Sequence, residues 1–88
     1  MSVPVISVIN QSRGWLLLCN SGVSKLLRPG EGAQMQSKQV QLLVRTFSGE
    51  WALAQCVSGA GVVSVGTTAL QQLRRKATLI ARRMTTPS

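Results

Sequence analysis

Histidine and tyrosine are missing from this chain, and Glu31 and Glu50 are its whole supply of acidic residues. Without histidine, the most frequent general base is gone. Each of the two glutamates falls in a predicted turn, and nothing in the sequence pairs them as a sugar hydrolase would need. Cysteine is nearly as scarce, with Cys19 and Cys56 alone. A cysteine nucleophile normally works beside a base, and only lysine or glutamate could serve here. A structural zinc site takes about four Cys or His ligands, and a calcium loop takes several clustered carboxylates. Neither inventory exists, so no metal, cofactor or small-molecule substrate is expected, and no residue is assigned to catalysis. The expectation is a protein that is not an enzyme.

Each cysteine sits among apolar neighbours in a predicted strand, in Leu17-Leu18-Cys19-Asn20 and Ala54-Gln55-Cys56-Val57. Both are expected to be free thiols in the core, where cysteine behaves as a small hydrophobe. No basic residue precedes the apolar N-terminal stretch, and Pro4 interrupts it, so no secretory leader is read there. The expected location is a virion or the cytoplasm. Aromatic residues are also few: Trp15, Phe47 and Trp51 complete the set, and all three are read as core. Core aromatics are lost as stacking platforms, which weakens a nucleic-acid reading.

What the chain has is positive charge. Ten Lys and Arg against two Glu give +8 over 88 residues, a balance that points to anionic partners but not to a fold. A chain this short forms one domain with a thin core, and such domains are commonly supplemented by oligomerisation.

The first two-thirds reads as short strands separated by Gly, Asn, Ser and Pro. Strands are predicted at Val3 to Ile9, Trp15 to Cys19, Val23 to Leu27, Ala33 to Lys38, Val40 to Phe47, Trp51 to Val57 and Val62 to Val65. Pro4 cannot donate to a ladder, so the first strand is expected to lie at an edge or begin there. In the fifth, Val40, Leu42 and Val44 share one face, and Gln41, Leu43, Arg45 and Phe47 share the other. In the sixth, Trp51, Leu53 and Val57 are set against Ala52, Ala54 and Cys56. Asn20-Ser21-Gly22 reads as a hairpin turn, and Arg28-Pro29-Gly30-Glu31 has the order of a type II turn. Gly59-Ala60-Gly61 lacks the following helix and lysine of a phosphate loop, so it reads as a plain turn.

The pattern changes at Gly66. Ala69 to Met84 holds no Gly or Pro, and Leu70, Leu73, Ala77, Ile80 and Met84 fall on one helical stripe. Arg75, Lys76, Arg82 and Arg83 gather on the opposite side, with Leu79 among them. Arg74, Arg75, Lys76, Arg82 and Arg83 are half of the chain's cations. No acidic residue lies in the helix to offset them at i+4. These five residues are the candidate contacts for an anionic partner, and Leu79 is the candidate protein interface.

The expected fold is mainly β, a small antiparallel β-sandwich or barrel with one C-terminal amphipathic basic α-helix. It is a single domain over 1–88: a β-rich body over 3–66, the helix over 68–84 and a polar tail over 85–88. The leading functional expectation is a structural protein acting through protein–protein contacts, as a homo-oligomer or part of a larger assembly such as a virion. Nonspecific binding of DNA or RNA through the basic helix is the alternative. A membrane-associated protein is the third reading, since residues 51–73 are uncharged and Arg74-Arg75-Lys76 follows at once.

Overall fold

A computed structural model describes residues 4–85, and the side chains of 4–83. The expected starts and ends at Val3, Met84 and 86–88 fall wholly or in their side chains outside the described residues. In chain order the elements are β1 (Val5–Gln11), β2 (Leu16–Asn20), β3 (Val23–Leu27), β4 (Gly32–Gln36), β5 (Gln39–Arg45), β6 (Trp51–Ser58), β7 (Gly61–Gly66) and α1 (Thr67–Thr85).

Two hairpins, β2–β3 and β5–β6, join side by side into a four-stranded antiparallel sheet of order β3-β2-β5-β6. The other strands form a three-stranded sheet of order β4-β1-β7. The fold is therefore mainly β, two sheets and a C-terminal helix, as the sequence implied. It is not antiparallel throughout, because β7 runs parallel to β1, with Val8 beside Val63. Of the two placements that Pro4 allowed, β1 takes the second: it begins just after Pro4 and is the central strand of its sheet, not an edge.

Alternation builds the core. Ile6, Val8 and Asn10 of β1 point inward, as do Leu16 and Leu18 of β2 and Val40, Leu42 and Val44 of β5. Leu27, Ala54 and Val65 join them, and α1 closes the space with Leu70, Leu73 and Ala77. Ile80 is half-buried. The helix packs on β5, β6 and β7, so its apolar stripe is spent on the protein's own core. Residues 51–73 form β6, β7 and the start of α1, and among the described residues no helix is long and apolar enough to cross a membrane.

The β6 alternation breaks at a bulge. Leu43 pairs with Leu53 but Leu42 pairs with Gln55, leaving Ala54 as the extra residue. Ahead of it Trp51 and Leu53 face outward; beyond it Val57 turns inward and Cys56 outward. The expected face of Val57 and Cys56 is thus reversed.

Turn chemistry agrees with the sequence. Ser21 and Gly22 both have positive φ, 46° and 83°, as a type I′ hairpin turn requires. Gly30, at φ 86°, follows Pro29, and Glu31 N–H donates to the Arg28 carbonyl at 3.0 Å.

Asn10 organises one end of the sandwich. Its side chain is fully buried and donates to the carbonyls of Gly14 at 2.8 Å and Leu27 at 3.0 Å. Its oxygen accepts from the Ser12 N–H at 3.0 Å and from the Ser12 hydroxyl. Its backbone N–H donates to Glu31, and its carbonyl accepts from Gly30. One side chain thereby ties the β1–β2 loop to the end of β3.

Candidate nucleic-acid interface

The outer face of the four-stranded sheet carries three rows of side chains. Leu26, Leu17, Leu43 and Leu53 form the middle row, one from each strand. Ser24, Cys19, Gln41 and Cys56 form the row on one side of it. On the other side Arg45 pairs with Trp51. Continuing the registers of β2 one residue past Leu16 sets Trp15 beside Arg28 and Arg45. The third row is therefore Arg28, Trp15, Arg45 and Trp51.

Cations and rings in this row are in contact. The Arg28 guanidinium lies 5.7 Å from the centre of the Trp15 ring, and that of Arg45 lies 5.2 Å from Trp51. Phe47 continues the pattern just beyond β5, with Arg74 of α1 at 4.9 Å. All three separations are within the reach of a cation–π contact. Every aromatic residue of the chain is thus paired with an arginine.

These aromatics are not core, which corrects the expectation. Trp15 is 45% exposed and Phe47 62%, while Trp51 is half-buried. The buried apolar cluster among the described residues is wholly aliphatic. Hydrophobicity alone had assigned the aromatics inside. Strand parity held the contrary signal: Trp15 precedes inward Leu16, and Phe47 shares the face of Arg45.

The helix contributes in two ways. Arg74 is half-buried and turned to the sheet, its Nε donating to the Arg45 carbonyl at 3.0 Å. Arg75, Lys76, Arg82 and Arg83 are exposed, as their helical spacing implied. Leu79 stands 56% exposed among them. Phe47, Arg75, Thr78, Leu79 and Arg82 line one shallow hollow, which joins the helix's charged face to the third aromatic. Lys76 and Arg83 lie outside that hollow.

Both glutamates sit in turns at the arginine-rich end. The Glu31 carboxylate accepts from the Arg28 N–H at 2.7 Å. Glu50 closes the β5–β6 hairpin through its backbone, where Thr46 N–H donates to its carbonyl at 2.7 Å. Among the described residues no group of three or more His, Cys, Asp or Glu is placed to hold a metal ion.

The cysteines are free but not in the core, a second correction: Cys19 is half-buried and Cys56 exposed. Both pair with Gln41, from opposite sides. Two strand spacings, about 10 Å, then separate them, beyond the roughly 7 Å limit between Cα atoms for a disulfide.

Compared with known proteins, the chain matches no family model, no curated sequence and no solved structure.

Proposed function

We propose that this chain is a non-enzymatic protein that binds single-stranded nucleic acid through the arginine–aromatic end of its four-stranded sheet, with the basic face of α1 extending the contact. The observation that carries this reading is the pairing of Trp15, Phe47 and Trp51 with Arg28, Arg74 and Arg45 at the surface. Unpaired bases stack on aromatic rings and on guanidinium planes, whereas a duplex hides its base faces. Arginine beside each ring adds charge for the phosphates, and a net charge of +8 draws the polyanion in. Recognition of this kind tolerates any sequence, because every base has a π-face.

Fluorescence anisotropy of a labelled single-stranded oligonucleotide, taken across a salt series, tests it. Affinity should fall with salt, with a slope of about −0.7 per phosphate contact. Trp15→Ala should weaken binding at every salt concentration and leave the slope in place. The double change Arg82→Ala and Arg83→Ala should flatten the slope. Equal affinity for the parent protein and Trp15→Ala would count against stacking, and no binding at low salt would end the proposal.

A second reading has its own observation. Leu26 and Leu53 are 37% and 39% exposed at the two ends of the outer leucine row. An apolar row across a whole sheet is a surface that another protein copy could cover. It supports an assembling structural protein, and the two readings are compatible in one molecule because they use different rows.

A further inference from the structure

A hollow of about 360 Å³ opens beside the third row, lined by Gly14, Trp15, Arg45, Leu70 and Arg74. Its size lies at the small end of the range for ligand pockets, roughly 300–1,000 Å³. Three separate elements converge on it: the β1–β2 loop, the end of β5 and the first half of α1.

The walls are held before any ligand arrives. Arg74 is fixed by the Arg45 carbonyl and the Phe47 ring. Arg45 is fixed by Trp51, and its Nη1 reaches the Gly49 carbonyl at 3.5 Å. Gly14 is anchored by the Asn10 side chain, and Trp15 is braced by Arg28. The loop presses so closely on the helix that a Cβ at Gly14 would collide with Leu70. The lining thus combines a flat indole, the Leu70 side chain, the main chain of Gly14 and two guanidinium-bearing side chains. No carboxylate lines it.

We infer that this hollow is a nucleotide pocket, taking one unstacked base against Trp15 with the attached phosphate held by Arg45 and Arg74. A flat aromatic anion meets each part of the lining: the base covers apolar surface, and the phosphate meets two positively charged side chains with no carboxylate among the lining residues. Preformed walls lower the ordering cost of binding. The inference rests on the proposed single-strand function and adds a defined seat for one nucleotide on an otherwise sequence-tolerant surface.

The test uses the full chain carrying Trp51→Phe, which leaves Trp15 as the single indole reporter. Titration with adenosine 5′-monophosphate should quench Trp15 fluorescence saturably. Ribose 5-phosphate, which has the phosphate and lacks the base, should compete about tenfold less well or worse, on the scale of one base stack. Arg74→Ala in the same background should weaken the nucleotide about tenfold or more, with a circular dichroism melt verifying that the variant is folded. Absence of saturable quenching, or equal competition by ribose 5-phosphate, would overturn the pocket. The two proposals fail differently. If oligonucleotide binding is salt-dependent but Arg74→Ala leaves it unchanged and the mononucleotide does not bind, the pocket is wrong and the function stands. If no oligonucleotide binds at any salt concentration, the function itself is wrong.

Discussion

Arg74 reaches from the first half of α1 to the main chain of β5, its Nε donating to the Arg45 carbonyl at 3.0 Å while its guanidinium covers the Phe47 ring. A helix that could have been held by apolar contacts alone is also pinned by an oriented polar group. The contact meets the carbonyl of Arg45, the last residue of β5. Arg74→Ala should therefore destabilise the fold by about 1–2 kcal/mol, the scale of one hydrogen bond plus one cation–π contact. Arg74→Lys should restore less than half of that, since lysine keeps the charge but lacks the planar fork. Urea denaturation of the three proteins decides: if lysine restores full stability, charge alone is at work.

Asn10 is the buried polar residue on which one end of the sandwich depends. Among the described residues no buried side-chain nitrogen or oxygen lacks a partner, and Asn10→Ala would remove at once the amide that donates to the Gly14 and Leu27 carbonyls and the oxygen that accepts from the Ser12 N–H and hydroxyl. Leaving buried groups unsatisfied costs about 1–3 kcal/mol each. The expected loss is about 2–4 kcal/mol, a fall of roughly 10–25 °C in melting temperature for a domain of this size. Asn10→Asp should be worse at neutral pH, because a carboxylate cannot donate to two carbonyls. Burial beside those carbonyls raises the folded-state pKa of the introduced carboxyl above its unfolded value. The folded form then binds the proton more tightly, so this variant should gain stability as pH falls from neutral through that raised pKa. Melts of the variant from pH 7 downward check the sign: stability that falls in step with the parent would exclude a raised pKa.

Much of this architecture was legible in the sequence, because strand parity and turn chemistry are local. Val40, Leu42 and Val44 alternate, and they are buried; Pro29-Gly30 and Ser21-Gly22 need particular backbone angles, and they have them. The helical stripe was legible for the same reason. What stayed hidden is non-local. The parallel pairing of β7 with β1 joins residues more than fifty positions apart, such as Val8 and Val63, and no local pattern specifies it. The bulge at Ala54 depends on how β6 meets β5. The arginine–aromatic row was missed because the rings were counted by hydrophobicity, when their parity against Leu16 and Val44 set them outside. Leu79 and the exposed helical cations were found by spacing alone, but the sheet arginines beside the rings were not singled out.

Thiol chemistry offers an independent check on the sheet order. Cys56 is exposed, and Cys19 is half-buried with its sulfur 3.4 Å from the Ser24 hydroxyl. A thiol reagent such as dithionitrobenzoate should modify Cys56 quickly and Cys19 more slowly in the native protein. Mild oxidation should give no intramolecular disulfide, because β5 stands between β2 and β6. Cross-linked dimers through Cys56 are the expected oxidised product. A monomer lacking both thiols after oxidation would mean that β2 and β6 are neighbours and the strand order is wrong.

The outer leucine row sets the last prediction. If the chain assembles, the row from Leu26 through Leu17 and Leu43 to Leu53 is the surface to break. Leu26→Lys with Leu53→Lys alters two positions already partly exposed, so the monomer should lose little stability, within about 1 kcal/mol for the pair. The same changes place charge where an apolar partner would sit, and a buried unpaired charge is not tolerated. Sedimentation of nuclease-treated protein should show an oligomer for the parent and a monomer for the double variant. High salt should leave the parent oligomer intact or strengthen it, because screening relieves repulsion between chains that each carry +8. Leu79→Glu separates the sheet from the helix as the contact: it should dissociate the oligomer only if α1 takes part. A parent that remains monomeric at every salt and protein concentration would remove assembly as a function and leave the arginine–aromatic end as the surface that matters.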